Sequence, residues 1–122
     1  MHNKRKIVQK LLITVSFLFQ IFNLNAQCSA AFSYPKTSCK GEQKQFTAST
    51  TGSKITYDWN FGDPTSGAAN FAFTYNPKHI FNKAGTYKVR LIVKDTSIGC
   101  VDSLIQSVTV YDKPTASFTI DN

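Results

Sequence analysis

The chain has 122 residues and carries 14 Lys and Arg against 7 Asp and Glu, a net charge of +7. This length suits one domain, and no low-complexity stretch or block of like charge predicts disorder. A basic chain suggests a nucleic-acid-binding protein, but the distribution of the cations along this sequence argues against that class.

The N-terminus has the pattern of a secretory signal peptide. The chain begins with a basic segment that lacks acids, continues with an apolar run over Leu11–Phe19 and reaches the small residue Ala26. This pattern predicts export with cleavage after Ala26. A membrane anchor is disfavoured because Gln20 interrupts a run that is already shorter than the ~20 apolar residues of a span. A lipoprotein that uses Cys28 is disfavoured because Gln27 replaces the usual small residue before it.

Cleavage changes the charge balance, because four cations and no acid leave with the signal. Residues 27–122 carry 10 Lys and Arg against 7 Asp and Glu, a net charge of +3. The lysines alternate along predicted strands or lie in turns, so they form no basic footprint for nucleic acid. Lys88, Arg90 and Lys94 are interpreted as the solvated face of a strand.

Three cysteines remain after cleavage, and export permits disulfides. Cys39 lies just before the first clear strand, Gln43–Ala48, and Cys100 lies in the turn before the last strand. Both are expected near sheet ends, so we predict a Cys39–Cys100 disulfide. Cys28 would then pair elsewhere or be a free thiol. Zinc is disfavoured because the sequence has no Cys-x-x-Cys pair.

Alternation of apolar and polar residues predicts strands along the rest of the chain. In the segment Ile55–Phe61, every second residue is apolar, and the turn that contains Gly62 and Pro64 ends it. Thr65–Pro77 is expected to be a loop. No helix is expected, and the further predicted strands are Phe71–Tyr75 (short), Tyr87–Val93 and Leu104–Val110. This organisation predicts an all-β, immunoglobulin-like sandwich of two antiparallel sheets with about seven strands.

Three motifs in this order resemble the polycystic kidney disease (PKD) domain family. Trp59–Asp63 is similar to its Trp-Asp-Phe-Gly-Asp-Gly motif, His79–Phe81 to its His-x-Tyr/Phe element, and Gly85–Val93 to its Gly-x-Tyr-x-Val-x-Leu motif. The resemblance extends over roughly Ala30 to Tyr111. The sequence departs from the family at Asn60, where Asp is usual, at Pro64, where Gly is usual, and in a longer Thr65–Lys78 loop.

The resemblance implies structural roles for the motif residues. Trp59 is expected to pack between the sheets, with a sugar-stacking platform as the alternative. Asp63 is expected to accept backbone hydrogen bonds in its turn, with calcium binding as the alternative; the aspartates lack the spacing of a calcium loop. His79 is expected to be packed and hydrogen-bonded, and Tyr87 to form a tyrosine corner. The full structural set is Trp59, Phe61, Gly62, Asp63, His79, Gly85 and Tyr87.

Nothing in the sequence indicates catalysis. A nucleophilic triad would have to use His79, and no Gly-x-Ser-x-Gly motif is present. Glu42 is the only glutamate, so a carboxylate pair for glycoside hydrolysis is not indicated. We therefore predict a protein that is not an enzyme, with no catalytic residue, metal site or cofactor.

The C-terminal residues repeat a pattern from the beginning of the predicted domain. Residues 113–120 resemble residues 29–34, and Phe118 follows Phe32 at a domain's length. We expect a signal peptide at 1–26, a sandwich at 27–112, and a linker or the start of a truncated second repeat at 113–122. Chance similarity in a short tail rich in Ser and Thr is the alternative.

By resemblance, the expected function is that of a non-catalytic interaction or adhesion module of a secreted or surface bacterial protein. Its expected partner is an extracellular protein or polysaccharide, with no nucleic acid and no transmembrane span after cleavage. The alternative is an accessory or spacer domain of a larger exported hydrolase or of a gliding or adhesion protein, of which this chain would be an N-terminal fragment. The candidate ligand contacts are Phe71, Phe73 and Tyr75: an exposed aromatic strip would favour binding, and burial would favour a spacer.

Overall fold

The structure is a computed structural model that describes residues 27–121. The predicted signal peptide lies outside the described residues. Between residues 27 and 121, no helix is long and apolar enough to cross a membrane. The described residues contain one short 3-10 helix, Pro64–Asn70, and eight strands: β1 Ser29–Ser33, β2 Gln43–Gln45, β3 Thr47–Thr51, β4 Ile55–Asn60, β5 Phe71–Ala72, β6 Lys78–Ile80, β7 Gly85–Asp95 and β8 Cys100–Val110.

These strands build the predicted antiparallel sandwich. One layer is a four-stranded sheet in the order β5-β4-β7-β8, and the other is formed by the pairs β1-β3 and β2-β6. All of these pairs are antiparallel. The all-β, immunoglobulin-like prediction is therefore confirmed.

The secondary structure differs from the prediction at four places. The segment Gln43–Ala48 is divided between β2 and β3, the loop after Asp63 contains the 3-10 helix, and Cys100 begins β8 instead of lying in a turn. The predicted short strand over Phe71–Tyr75 covers only Phe71–Ala72. The expectation of no helix was wrong at this loop, because Pro fixes φ at a value that suits the first residue of a helical turn.

The chain between Phe71 and Ile80 passes from one layer to the other. Phe71–Ala72 pairs with β4 in the four-stranded sheet, whereas Lys78–Ile80 pairs with β2 in the opposite layer. Between them, the carbonyl of Tyr75 accepts from the Ala48 N–H at 3.2 Å, and that of Pro77 accepts from the Phe46 N–H at 2.9 Å. This segment closes one side of the sandwich with backbone hydrogen bonds.

An aromatic cluster fills the space between the layers. Trp59 is fully buried, and its ring centroid lies 5.1 Å from that of Phe32, 5.9 Å from that of Phe46 and 6.2 Å from that of Phe61. Aromatic pairs at such distances stabilise by about 0.5–1.5 kcal/mol each beyond the area that they bury. The other buried apolar residues packed in this core are Ala48, Phe81, Val89, Leu91, Val93, Val108 and Val110.

The disulfide joins Cys28 to Cys100, with 5.9 Å between the two Cα atoms. The predicted Cys39–Cys100 pairing was wrong, and Cys39 is a half-buried free thiol. Cys39 forms a parallel bridge with Tyr111, just beyond the end of β8, whereas Cys100 is the first residue of that strand. Eleven residues of strand separate the two places, roughly 35 Å at ~3.3 Å per residue, so these cysteines cannot meet.

Side chains complete the opposite, open side of the sandwich, where β1 lies against the free edge of β8. The carboxylate of Asp102 accepts from the Ala30 N–H at 2.8 Å, and the amide of Gln106 donates to the Phe32 carbonyl at 3.2 Å. The Tyr34 hydroxyl donates to the Ser107 carbonyl at 3.0 Å. No backbone ladder pairs β1 with β8 within residues 27–121, so these contacts and the disulfide hold the edges together.

Two carboxylates in the sandwich have lowered pKa values. The hydroxyl of Ser97 and then the N–H of Ser53 stabilise ionised Asp95, which lowers its pKa. The Ala30 N–H, followed by that of Ser103, lowers the pKa of Asp102 in the same way. Both anions therefore hold backbone segments that are distant in sequence.

Removal of the disulfide should destabilise the domain. The closed loop has a sequence separation of 72 residues, and in the chain-entropy model such a cross-link contributes about 4 kcal/mol to the free energy of unfolding. We expect Cys28→Ser to lower that free energy by about this amount in urea titrations. Cys39→Ser is the matched control and should leave it unchanged within ~0.5 kcal/mol. A large loss in the control variant would contradict the assigned pairing.

Because the pKa values of Asp95 and Asp102 are lowered in the folded state, the free energy of unfolding depends on pH. The stabilising contribution of each carboxylate is complete above the unfolded-state pKa of about 3.9 and is lost as the pH falls through the lower folded-state value. We expect the melting temperature to be stable down to about pH 4 and to fall below it. Asp102→Asn keeps an acceptor for the Ala30 N–H without titrating, so its melting temperature should fall less steeply with acid than that of the wild type. Parallel melting curves down to strong acid would refute a role for Asp102.

Candidate functional site

The motif tryptophan lies inside the sandwich and is not accessible to a ligand. Its side chain has no solvent exposure, and its indole N–H donates to the Thr74 carbonyl at 2.9 Å. The structure therefore offers no sugar-stacking platform at Trp59. Since the buried indole holds the Thr74 carbonyl, this hydrogen bond also fixes the backbone between Phe73 and Tyr75.

Asp63 and His79 form a buried polar pair behind the turn. Both side chains are almost fully buried, and His79 Nε2 lies 3.2 Å from Asp63 Oδ2. The Thr65 hydroxyl donates to Asp63 Oδ1 at 2.7 Å. The His79 ring stacks on Phe61 at 4.4 Å between centroids and meets Phe81 edge-on at 4.5 Å. This pair links the 3-10 helix to β6 across the layers.

The hydrogen-bond partners of the Asp63 carboxylate differ from those predicted. It accepts from a hydroxyl and faces an imidazole, whereas the backbone donor of its turn, the Ser66 N–H, goes to the main-chain carbonyl of Asp63 at 3.0 Å. The description of Asp63 as an acceptor of backbone hydrogen bonds through its side chain was therefore wrong. Within residues 27–121, no group of three His, Cys, Asp or Glu side chains could hold a metal ion.

Two asparagines support the same turn. Asn60 Oδ1 accepts from the Gly62 N–H at 2.9 Å and from Asn70 Nδ2 at 3.3 Å. Asn70 is buried, and its Oδ1 accepts from the Asp63 N–H at 2.7 Å. Since Asn60 contributes only an acceptor, an aspartate could make the same contacts, and the departure from the family motif preserves the turn. No local pattern in the sequence indicates Asn70, because its partners are ten and seven residues away.

The remaining motif residues position β7 below this turn. Gly62 has a φ of 69°, and a Cβ atom built on it would lie 2.5 Å from the Lys88 carbonyl, so only glycine fits. Gly85 begins β7. The Tyr87 hydroxyl donates to the Lys83 carbonyl at 2.7 Å, the arrangement of a tyrosine corner. Burial, and then the Asp63 carboxylate, raises the pKa of Tyr87, which keeps this donor protonated.

A pocket opens beside the buried pair, between the 3-10 helix and the β2–β6 ladder. Its volume is about 480 Å³, and His79 forms part of its wall. Its lining is half polar and half apolar and consists of Gln43, Thr65, Ser66, Ala69, Lys78, His79, Ile80 and Asn82. Such a lining suits a ligand that has both hydroxyl groups and apolar faces.

Three aromatic side chains on the crossing segment are exposed and form the aromatic strip: Phe71, Phe73 and Tyr75. Their exposed fractions are 48%, 70% and 45%. Phe71 pairs with Asn60 at the edge of the four-stranded sheet, and the Tyr75 ring meets Tyr57 edge-on at 5.6 Å. The strip therefore extends along the closed side of the sandwich. Tyr34 lies elsewhere, with its ring against the core residues Phe32 and Phe46.

Comparisons with known proteins agree with this architecture. A family profile described as PKD domain matches residues 25–110. Collagenase ColA of Bacillus cereus is 38% identical over 87 residues, which cover 68% of this chain and 8% of the collagenase. The chain therefore spans only a small part of the length of this relative.

Solved structures show the same fold. A structure described as concerning the promiscuous specificity of carbohydrate-binding modules of the β-sandwich superfamily is 27% identical, with a TM-score of 0.61, and the match covers 72% of this chain and 36% of that one. The PKD1 domain of Vibrio anguillarum Epp is 20% identical, with a TM-score of 0.60, and the match covers 73% of this chain and 99% of that one. The motifs, the sandwich and the profile match together show that the chain belongs to the PKD domain family.

Proposed function

We propose that this domain is a non-catalytic interaction module of an exported bacterial protein and that it binds an extracellular glycan through the aromatic strip. The observation that carries the proposal is the exposure of Phe71, Phe73 and Tyr75 on a segment whose backbone is held at both ends. Exposed aromatic rings on a rigid support offer flat apolar faces on which sugar rings can stack, and they lose little conformational entropy on binding.

The pocket beside His79 also supports a glycan ligand. Most of its lining residues lie on the 64–80 segment that carries the aromatic strip, and its hydroxyl, amide and amine groups can pair with sugar hydroxyls. The likeness to a structure of carbohydrate-binding modules points in the same direction. Export is supported by the signal pattern at residues 1–26 and by the disulfide, which is typical of oxidising compartments.

A second candidate function is that of an accessory or spacer domain within a larger exported hydrolase. The observation that favours it is the similarity to collagenase ColA, in which the matched region is a small part of a long chain. In that setting, the aromatic strip would contact the substrate or a neighbouring domain.

We also propose that residues 113–122 are a linker followed by the first strand of a second module. Phe32 of β1 is buried, and Ala30 of β1 and Tyr34, the residue after β1, are partly buried, so these alternate residues face the core. Ala116, Phe118 and Ile120 repeat this spacing, and in this structure Phe118 and Ile120 are 84% and 75% exposed.

The glycan proposal is tested by truncation of the aromatic strip. We expect the double variant Phe71→Ala, Phe73→Ala to weaken binding on a glycan array by about tenfold, equivalent to ~1.4 kcal/mol, because rigid exposed aromatics dominate such contacts. Phe118→Ala removes a ring outside the strip that is more exposed than either of these and should leave binding unchanged. Binding to no glycan, together with capture of a defined protein partner through the same residues, would replace the glycan proposal.

If residues 113–122 lie outside the first module, their deletion should not change its stability. Since the side chains of residues 113–121 are exposed, deletion of residues 114–122 should change the free energy of unfolding by less than ~0.5 kcal/mol in urea titrations. A larger loss would mean that the tail belongs to this domain.

A further inference from the structure

The outward face of the four-stranded sheet carries three cations along one strand. Lys88, Arg90 and Lys94 on β7 are all exposed, and alternation along the strand places them on the same face. At ~3.4 Å per residue, Lys88 and Lys94 lie about 20 Å apart. None of them belongs to an ion pair within residues 27–121.

On the strands that flank β7, a single acid faces these cations. Asp58 on β4 pairs with Ile92, so it lies diagonally between Arg90 and Lys94 without forming an ion pair with either of them. The other outward residues of the neighbouring strands are uncharged: Thr56, Asn60, Val101, Ser103, Ile105, Ser107 and Thr109. The face therefore keeps an unneutralised positive charge.

Exposed apolar side chains border the cations and connect this face to the aromatic strip. Across the sheet, Phe71 pairs with Asn60, Asn60 with Arg90, and Arg90 with Ile105. Phe71 is 48% exposed and Ile105 is 58% exposed. One row of paired residues across the sheet therefore contains both an aromatic residue of the strip, Phe71, and a cation, Arg90.

We infer that this sheet face and the aromatic strip together bind an extended anionic polysaccharide, one that carries carboxylates or sulfates at intervals along its chain. The inference rests on the proposed glycan function and names the ligand class. The positive charge of the face favours an anionic ligand. Because Phe71 and Arg90 lie in the same row of paired residues, a suitable ligand has both a sugar ring that can stack and a negative charge nearby. Cations spaced over about 20 Å along β7 suit an extended ligand that follows this strand and meets that row at Arg90.

The test compares two charge-matched variants of the purified protein. The face variant is Lys88→Gln, Arg90→Gln, Lys94→Gln. The control variant is Lys36→Gln, Lys54→Gln, Lys83→Gln, which removes the same charge from exposed residues outside this face. Gln keeps the side-chain stem, and melting temperatures verify that both variants fold. The probes are immobilised polygalacturonate, dextran sulfate and neutral dextran.

We expect the wild type to bind one or both anionic polymers more tightly than dextran. The face variant should lose about tenfold or more in affinity, because it removes three cations that would pair with charged groups of the ligand, whereas the control should lose less than about threefold. Phe71→Ala, which leaves the charge unchanged, should also weaken binding. Raising the ionic strength from ~0.01 M to ~1 M should weaken binding of the wild type, because it shortens the Debye length from about 30 Å to about 3 Å.

The two arms with charged polymers distinguish a carboxylated from a sulfated ligand. Equal losses in the face and control variants would show attraction by net charge alone and would overturn the inference, as would anionic binding that Phe71→Ala leaves unaffected. Preferential binding to dextran would overturn the inference and leave the proposed glycan function intact. Binding to none of these polymers or to any other glycan would remove both.

Discussion

The burial of Trp59 is the constraint on which the rest of the structure depends. Its ring joins the aromatic residues of both layers, and its indole N–H holds the Thr74 carbonyl at 2.9 Å. A buried indole N–H without a partner would cost about 1–3 kcal/mol, so the segment that contains Thr74 must follow the core. The same interaction that closes the sandwich therefore fixes the backbone between Phe73 and Tyr75 and keeps their side chains at the surface. The core sets the geometry of the candidate binding surface.

The two sides of the sandwich are closed by different chemistry. On the side of the aromatic strip, backbone hydrogen bonds run from β5 to β6 across both layers. On the other side, β1 and β8 are joined by Asp102, Gln106 and the Cys28–Cys100 disulfide. Free strand edges can pair with strands of other chains. Here the side chains of Asp102 and Gln106 bind backbone groups of β1, although no backbone hydrogen-bond ladder joins β1 to β8. The disulfide reinforces the side that lacks backbone hydrogen bonds.

Much of this fold was readable from the sequence, because two-residue periodicity reports directly on which face of a strand is buried. The alternation around Trp59 and Val89 identified β4 and β7. The cysteine pairing could not be predicted from the sequence, because it depends on which strand ends lie at the same end of the sandwich. The distance between cysteines along the chain does not report this. The exposure of Phe71 and Phe73 was equally hidden, because an edge strand and a central strand have similar local patterns. Asn70 shows the same limit, since its partners are set by the turn and not by its neighbours.

Lys44 shows how the architecture tolerates a group that a core should exclude. Its side chain is 2% exposed and faces inward from β2, its amine makes no hydrogen bond within residues 27–121, and the amine lies 5.4 Å from the centroid of the Tyr34 ring. Burial lowers the pKa of Lys44, and the Glu42 carboxylate opposes this change. An isolated buried ammonium is costly, whereas attraction to the face of a ring returns part of that cost. Tyr34 therefore packs with the interior and does not belong to the exposed aromatic strip of Phe71, Phe73 and Tyr75, which lies on the side of the sandwich where Trp59 holds the Thr74 carbonyl.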